Sequence, residues 1–174
     1  MGHIVLVGMM GAGKTTIGRA LARNRGWAFI DSDAQVEARA GRTVAEIWAA
    51  EGEQEFRTLE SAVLLEALAA DAPAVIAAAG GTVLDRNNSD LLRSHRPVVW
   101  LRADSGTLVQ RLGEGLGRPL LVTEPAAALR RLAAEREPLY AQVADVTIDV
   151  DLMEPERVVE LIEEALGIDG APNS

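Results

Sequence analysis

The N-terminal segment contains the feature that most limits how this chain can fold. An apolar run at residues 4–7 leads into Gly8-Met9-Met10-Gly11-Ala12-Gly13-Lys14-Thr15-Thr16, and a helical pattern follows at residues 17–25. This is the spacing G-x-x-x-x-G-K-[ST] between a strand and a helix, which is typical of a phosphate-binding loop. Its glycines let backbone N–H groups turn inward around a phosphate, and the start of the helix adds partial positive charge. This segment, called the phosphate loop below (residues 8–16), predicts a nucleotide site.

Two side chains of the phosphate loop have predicted chemical roles. Lys14 offers a mobile positive charge to the β- and γ-phosphates, and the Thr15 hydroxyl can bind Mg²⁺. Lys14 is the only lysine among 17 basic residues, so arginine serves everywhere else. The alternative is a glycine-rich turn with an incidental Lys-Thr pair, which the flanking strand and helix disfavour. The expected nucleotide contacts in the loop are Gly11, Ala12, Gly13, Lys14, Thr15 and Thr16.

Composition limits the class of protein. With 174 residues, 48% of them apolar, the chain is most simply one globular domain, expected at residues 1–167 and followed by a disordered tail at 168–174. A net charge of −9 and 3% aromatic residues argue against nucleic acid as a partner. The absence of cysteine excludes disulfides and thiolate metal sites. No apolar run reaches membrane-spanning length and no leader pattern begins the chain, so we expect a cytoplasmic protein without a membrane partner.

The order of apolar runs and helical patterns predicts a mostly parallel sheet. Strand-length runs alternate with helical segments, which is typical of parallel strands between helices. Thr43 and Glu46 have the spacing of a capping box. After the first strand, the predicted strands are 27–31, which reads as buried, 74–79, 97–101 and 146–150. After the first helix, the predicted helices are 34–41, one starting at 43, 52–70, 123–142 with Thr123 as its cap, and one starting at 155.

A glycine-rich stretch interrupts this alternation. Gly113, Gly115 and Gly117 lie within one short segment, which fits a hinge or lid better than a packed element. Arg118 follows directly and could swing onto the γ-phosphate of a bound nucleotide, where it would stabilise transition-state charge. We therefore predict a lid at about residues 113–122.

Asp31 and Asp33 follow the second predicted strand. The carboxyl ends of strands are where open α/β sheets place ligands, and alternate residues of an extended segment face the same side. One carboxylate could hold a water on Mg²⁺, and the other could accept a proton from an attacking hydroxyl. Equally, one could cap the next helix while the other is solvated. Spacing alone does not decide between these readings.

Two arginines have unremarkable settings when the residues are taken alone. Arg57 and Glu60 lie three positions apart on a helix, beside an apolar stripe of Phe56, Leu59, Val63 and Ala67. This spacing favours a surface ion pair of small energetic value. Arg136 precedes Pro138 near the end of a predicted helix. It reads only as a helix-end arginine.

Taken together, these segments resemble those of the shikimate kinases. The likeness covers residues 4–165. It is carried, in order, by the phosphate loop, Asp31-Ser32-Asp33, Gly41-Arg42-Thr43 through Gly52-Glu53-Gln54-Glu55-Phe56-Arg57, Gly80-Gly81, Arg118-Pro119-Leu120-Leu121 and Arg136-x-Pro138-Leu139-Tyr140. Each motif alone is modest support, whereas the ordered set is specific.

The resemblance implies a fold and a reaction. The fold is a P-loop NTPase fold of nucleoside-monophosphate-kinase type, with about five parallel strands flanked by helices. Substrate-binding helices are expected at about 32–70. The reaction is transfer of the γ-phosphoryl group of ATP to a ring hydroxyl of shikimate, with Mg²⁺. We expect a monomer.

The resemblance also implies roles for single residues. Asp33 would bind the shikimate hydroxyls and help to deprotonate the reacting one, and Asp31 would reach Mg²⁺ through water. Lys14, Asp33 and Arg118 would be the catalytic groups. The remaining implied contacts are Arg57, Gly80, Gly81 and Arg136 with shikimate, Arg111 beside adenine and Arg118 on the phosphates.

The sequence departs from the family pattern in two places, one near the expected acceptor and one near the expected adenine site. The glycine triplet of the family reads Ala79-Gly80-Gly81 here, so one glycine carries a methyl group. The loop at residues 151–155 lacks the expected polar pattern, so no adenine contact is assigned to it. The alternatives are a kinase of another small polyol acid or cyclitol and a non-catalytic nucleotide-binding regulatory module.

Overall fold

A parallel sheet of five strands forms the centre of the computed structural model, which describes residues 2–112 and 124–168. The strand order is β2-β3-β1-β4-β5, and every neighbouring pair is parallel. The strands are β1 (Ile4–Val7), β2 (Ala28–Asp31), β3 (Ala74–Ala77), β4 (Val98–Arg102) and β5 (Val146–Asp149). The predicted parallel α/β sheet is confirmed.

Helices connect successive strands. They are α1 (Lys14–Arg25), α2 (Ser32–Ala40), α3 (Val44–Leu68), α4 (Arg86–Ser94), α5 (Ser105–Leu112), α6 (Pro125–Val143) and α7 (Pro155–Leu166), with a short 3-10 helix at Thr82–Leu84. None of the helices in the described ranges is long and apolar enough to cross a membrane. The predicted lid with Arg118, the predicted cap Thr123 and residues 169–174 lie outside the described residues. Ile168, assigned to the tail, is buried, and its carbonyl accepts a hydrogen bond from Arg25.

The central strands are buried on both faces, as expected when helices cover a parallel sheet. Every residue of β1 and β3 is buried, from Ile4 to Val7 and from Ala74 to Ala77. The prediction of a buried strand at 27–31 is wrong in this respect. β2 is the edge strand, Ala28 is exposed and the rest of β2 is only partly buried. A strand paired on one side keeps one edge open, which its apolar sequence does not reveal.

The helix α3 has two parts that meet at Gly52. Gly52 has φ 84° and ψ 175°, a conformation that favours glycine, so the axis bends there. The predicted start at Thr43 is confirmed, because its side chain and that of Glu46 cap each other's backbone in a capping box. Ile47 of the first part packs in a small apolar cluster with Val36 of α2, whereas Leu64 and Leu68 of the second part belong to the main core.

Candidate functional site

A cavity of about 700 Å³ lies at the carboxyl ends of β1, β2 and β3. Parallel strands end together at this edge of the sheet, so the loops that follow them converge there. The structure brings nearly all described candidate residues to this cavity. They are Gly11, Gly13, Lys14, Thr15, Thr16, Asp31, Asp33, Arg57, Gly80, Gly81, Arg111 and Arg136. Ala12 is the exception, because it is fully buried and its N–H donates to the Met9 carbonyl at 3.2 Å.

The phosphate loop is tightly folded under the end of β4. Gly8 has φ 144°, and a Cβ atom there would stand 2.5 Å from the Leu101 carbonyl oxygen. Gly13 has φ 95° and leads directly into α1, whose N-terminus opens at the cavity. The Lys14 ammonium donates to the carbonyls of Gly8 at 2.7 Å and Met9 at 3.0 Å. The backbone therefore holds the lysine charge at the centre of the loop.

Asp31 connects the phosphate loop to α2. Its carboxylate accepts a hydrogen bond from the Thr15 hydroxyl at 2.6 Å and a longer one from the Ala34 N–H at 3.4 Å. Asp31 therefore caps α2, as one sequence reading predicts, and it also lines the cavity beside Thr15. Its role in binding Mg²⁺ stays a prediction. Oxygen ligands suit Mg²⁺, which usually takes only one or two from the protein. Within the described ranges, no group of three acidic, histidine or cysteine side chains could hold a metal. This limited oxygen set fits an ion that binds mainly through phosphates and water.

On the opposite side of the cavity, Arg57 is held by aromatic and acidic neighbours. Its guanidinium donates to Glu60 at 2.5 Å and to Glu53 at 3.3 Å. It also lies 5.5 Å from the ring centre of Trp48 and 5.4 Å from that of Phe56. The reading of Arg57 and Glu60 as a surface pair is wrong, since Glu60 is 2% exposed. A cation stacked and paired in this way is fixed in direction.

Glu60 is a buried acid surrounded by the other acceptor-side charges. Burial raises the pKa of its carboxyl to about 7, an effect that Arg57 and Arg136 oppose and Asp33 reinforces. Asp33, Arg57, Glu60 and Arg136 therefore interact with one another at close range. Sequence reasoning missed Glu60. Its signal was the spacing Phe56, Glu60, Val63 and Ala67, which puts the acid in the buried stripe, whereas Leu59 is only partly buried.

Arg136 is a buried cation that lines the cavity. The predicted end of the helix is correct to within one residue, since α6 continues through Pro138 to Val143. The reading of Arg136 as no more than a helix-end arginine is wrong, because this residue is 2% exposed. Its Nε has no hydrogen-bond partner, and within residues 2–112 and 124–168 no carboxylate forms a salt bridge with it. Glu60 and the Tyr140 hydroxyl lie near enough to affect this charge, but a buried charge without a salt bridge is unfavourable. The site therefore favours an anionic ligand at this position.

The loop after β3 approaches both arginines. A Cβ atom on Gly81 would stand 2.0 Å from Nη1 of Arg57, and one on Gly80 would stand 3.5 Å from Nη1 of Arg136. Ala79 is buried and lines the cavity, so its methyl group occupies space that glycine would leave open. The Ala79 N–H donates to the Ser32 hydroxyl at 2.8 Å. This bond ties the segment between the two aspartates to the end of β3.

Arg111 borders the nucleotide side at the end of α5. It donates to the Val150 carbonyl at 2.9 Å and to the Gly11 carbonyl at 3.4 Å. Arg111 thus bridges the phosphate loop and the segment after β5. Its planar side chain lies where a ligand in the loop would extend outward.

Comparisons with known proteins agree with this site. Residues 10–167 match the family model described as shikimate kinase. A shikimate kinase of Symbiobacterium thermophilum is 49% identical over 94% of this chain and 95% of its own length. The structure of the Acinetobacter baumannii shikimate kinase in complex with shikimate has a TM-score of 0.91 at 37% identity and covers 97% of this chain and 95% of its own.

A gluconokinase of Sinorhizobium meliloti shares the fold only, with a TM-score of 0.58 and 20% identity over 95% of this chain and 91% of its own. The P-loop kinase fold implied by the resemblance is confirmed. The phosphate loop, the paired aspartates and the two arginines thus occur together in a chain that belongs to the shikimate kinase family.

Proposed function

We propose that this chain is a kinase that transfers the γ-phosphoryl group of ATP to a ring hydroxyl of shikimate, giving shikimate 3-phosphate and ADP. Its membership of the shikimate kinase family supports this reaction. The observation that carries the choice of acceptor is the buried Arg136, which has no salt bridge among the described residues and shares the cavity with Arg57 and with Lys14 of the phosphate loop. An acceptor with a carboxylate would neutralise that charge.

On the nucleotide side, the phosphate loop would bind the phosphates of ATP. Lys14 would exchange its two carbonyl partners for β- and γ-phosphate oxygens, which are stronger acceptors because they carry charge. Arg111 would lie against adenine. Arg118, outside the described residues, would engage the phosphates when the lid closes.

The Thr15 hydroxyl and the Asp31 carboxylate would hold Mg²⁺, Asp31 through a water. When bound, this ion supplies positive charge that offsets the negative charge of the β- and γ-phosphates. The short contact between Thr15 and Asp31 keeps both oxygens at the start of α1. The protein therefore needs no side-chain cluster of its own for the metal.

On the acceptor side, Arg57 and Arg136 would bind the carboxylate of shikimate, next to Gly80 and Gly81. A planar guanidinium matches the two oxygens of a carboxylate. Asp33, at the first turn of α2, would accept a hydrogen bond from the reacting hydroxyl and take up its proton. Because the transition state of phosphoryl transfer is loose, alignment of the hydroxyl should matter more than the basicity of Asp33.

A coupled assay of ADP release tests this function. The purified protein is incubated with ATP, Mg²⁺ and, one at a time, shikimate, gluconate and a cyclitol without a carboxylate. We expect ADP release that depends on shikimate and a phosphorylated product of matching amount. ATP binding without acceptor-dependent release would identify a regulatory module instead, and preference for gluconate would identify a different polyol kinase.

A further inference from the structure

Tyr140 contacts Gly80 but does not itself line the cavity. Neither the sequence motifs nor the proposed reaction assigns a role to it. It is the only tyrosine of the chain and lies on α6, one turn after Arg136. The residue is fully buried, and its ring packs against Trp100 with 5.8 Å between the ring centres. Its hydroxyl donates to the carbonyl oxygen of Gly80 at 2.6 Å. A buried aromatic residue thus contacts the loop that borders the acceptor site.

The Tyr140 hydroxyl is a hydrogen-bond donor near neutral pH. Burial raises the pKa of the phenol well above its usual value, and the nearby Arg136 guanidinium only partly opposes this shift. The phenol therefore stays protonated near neutral pH. Titration of the phenol thus does not break its hydrogen bond to Gly80 near neutral pH.

The carbonyl that accepts this bond belongs to the peptide between Gly80 and Gly81, in the loop after β3. Without Cβ atoms, the Gly80–Gly81 peptide has unusual freedom to rotate. That peptide is trans, so its C=O and N–H point in opposite directions. The bond from Tyr140 to the carbonyl therefore turns the Gly81 N–H away from Tyr140.

The Gly81 N–H donates no hydrogen bond to any residue in the described ranges. Gly81 lines the cavity, and Arg57 lies against it, since a Cβ atom there would stand 2.0 Å from Nη1. An unused donor beside a fixed guanidinium suits an anionic or hydroxyl-bearing ligand. The Thr82 N–H closes a turn around this peptide by donating to the Ala79 carbonyl at 3.1 Å, and Tyr140 adds a bond to the peptide from outside the turn.

We propose that Tyr140 is a positioning residue for the phosphoryl acceptor: its hydroxyl fixes the Gly80–Gly81 peptide so that the Gly81 N–H faces the acceptor beside Arg57. The inference rests on the proposed function only in taking shikimate as the acceptor. Tyr140 itself does not contact the ligand. Its effect on Gly81 passes through one peptide bond, and a readout at the Gly81 amide separates this effect from the contact between the Tyr140 hydroxyl and the Arg136 guanidinium.

The substitution Tyr140→Phe keeps the ring and removes the hydroxyl. Loss of one hydrogen bond corresponds to roughly 3- to 10-fold, so we expect the KM for shikimate to rise by about that factor. The KM for ATP and kcat should stay within about twofold. Steady-state kinetics with each substrate varied separately measure this split, and equilibrium titration with shikimate gives the same comparison without turnover.

A matched control is Ser89→Ala. Ser89 donates from a buried hydroxyl to the Val83 carbonyl at 3.0 Å, just beyond the glycine pair, and it does not line the cavity. It should lower the unfolding temperature about as much as Tyr140→Phe does while leaving the KM for shikimate unchanged. Equal effects of both variants on that KM would overturn the proposal, because a general loosening would then explain them.

An amide NMR titration of the wild-type protein tests the proposal without relying on a variant that folds. In the wild-type protein, the Gly81 amide resonance should shift when shikimate is added, and the shift should be smaller in Tyr140→Phe. If the chemical shift of the Gly81 amide does not change at saturating shikimate, the proposal is overturned. Active wild-type protein with an indifferent Tyr140→Phe variant counts against this inference alone. Wild-type protein without shikimate-dependent ADP release counts against the proposed function instead.

Discussion

On the nucleotide side of the cavity, the binding groups come mostly from one continuous segment, whereas on the acceptor side they come from separate elements. Lys14 and Thr15 are neighbours in the phosphate loop. Arg57 lies on α3, Gly81 follows β3 and Arg136 lies on α6. The nucleotide side is therefore a local structure, and the acceptor side exists only when the whole domain is folded.

The two sides also differ in how their polar groups are satisfied. Among the described residues, Lys14 donates to two backbone carbonyls and Asp31 accepts from the Thr15 hydroxyl and the Ala34 N–H. Arg136, by contrast, is buried with an unpartnered Nε, and Glu60 is a buried acid whose pKa is raised to about 7. The comparison shows that the acceptor side carries unfavourable charge burial that a ligand can relieve. Specificity for an acidic acceptor should follow from that difference.

The largest expected effect breaks the nucleotide side. Lys14→Met removes the only lysine, and because no other group replaces its charge on the phosphates, kcat should fall by roughly 10⁴-fold or more. The unfolding temperature should stay near that of the wild type. Arg19→Met, which removes a cation from α1 outside the cavity, is the control. A Lys14→Met enzyme with near-normal turnover would remove the phosphate loop from the mechanism.

Asp33 joins the two sides, and its substitution is expected to have the next largest effect. Asp33→Asn keeps the shape but cannot take up a proton, so kcat should fall by roughly 10²- to 10⁴-fold. Shikimate affinity should change less. Asp90→Asn, an exposed aspartate on α4, serves as the control. An unchanged kcat would leave Asp33 as an acidic residue of the first turn of α2 without a catalytic role.

The buried acid of the acceptor side predicts a pH dependence of stability. Between about pH 4.5 and about pH 7, the folded protein binds a proton at Glu60 that the unfolded chain has released. The free energy of unfolding should therefore fall as the pH rises through this window, by about 3 kcal/mol in total. Glu60→Gln should lack this component, which urea titrations at several pH values would measure.

The control for that measurement is Glu66→Gln, an exposed glutamate of the same helix that pairs with Arg39. Its pH profile should match the wild type. If the wild-type and Glu60→Gln profiles are parallel, Glu60 titrates at its ordinary pKa and the acceptor side does not carry the charge burial described above.

Removing either carboxylate-binding arginine tests the acceptor side directly. Charge-assisted hydrogen bonds contribute about 1.5 to 3 kcal/mol each, so Arg57→Ala or Arg136→Ala should lower kcat/KM for shikimate by roughly 10- to 150-fold. The KM for ATP should hardly change. Arg39→Ala, on α2 and outside the cavity, is the matched control.

A second acceptor completes this test. An analogue with a neutral hydroxymethyl group in place of the carboxylate should be a poor substrate for the wild type, because it offers the two guanidinium groups no charged acceptor. It should lose little further activity from Arg57→Ala. Equal losses for the acid and the neutral analogue would mean that the arginine does not bind the carboxylate.

The smallest expected effect concerns the methyl group of Ala79. If this methyl contacts the acceptor, Ala79→Gly should change the discrimination between acceptors by about 1 to 3 kcal/mol. Relative kcat/KM values for a panel of polyol acids measure it. Ala74→Gly removes a buried methyl at the start of β3, outside the cavity, and controls for lost stability. Unchanged ratios for every acceptor would show that the methyl faces away from the ligand.

The nucleotide side and the acceptor side also differ in how well the sequence predicts them. The phosphate loop could be predicted because its geometry depends on neighbouring residues and on glycines at fixed spacing. The meeting of Arg57 and Arg136 followed only from the family resemblance, since no local pattern relates residues on α3 and α6. Burial of Arg136 depends on how α6 packs, and the contact between Tyr140 and Gly80 depends on the same packing. The burial of β2 was predicted wrongly for a related reason, because the position of a strand in the sheet is a property of the whole fold.

Gly81 has a consequence for how tolerance to mutation would be interpreted. A side chain at Gly81 would meet the Arg57 guanidinium, which is already held by Glu60, so the added atoms have nowhere to go. At Gly18 a Cβ atom would meet the Phe29 ring at 2.5 Å and the fully buried Leu6 side chain at 3.2 Å, so a substitution there would disturb core packing and not the site. In a saturation library selected for growth, position 81 should thus score like Lys14 although glycine supplies no chemical group. We expect Gly81→Ala proteins to fold and bind ATP, so a binding readout would separate an excluded volume from a missing catalyst.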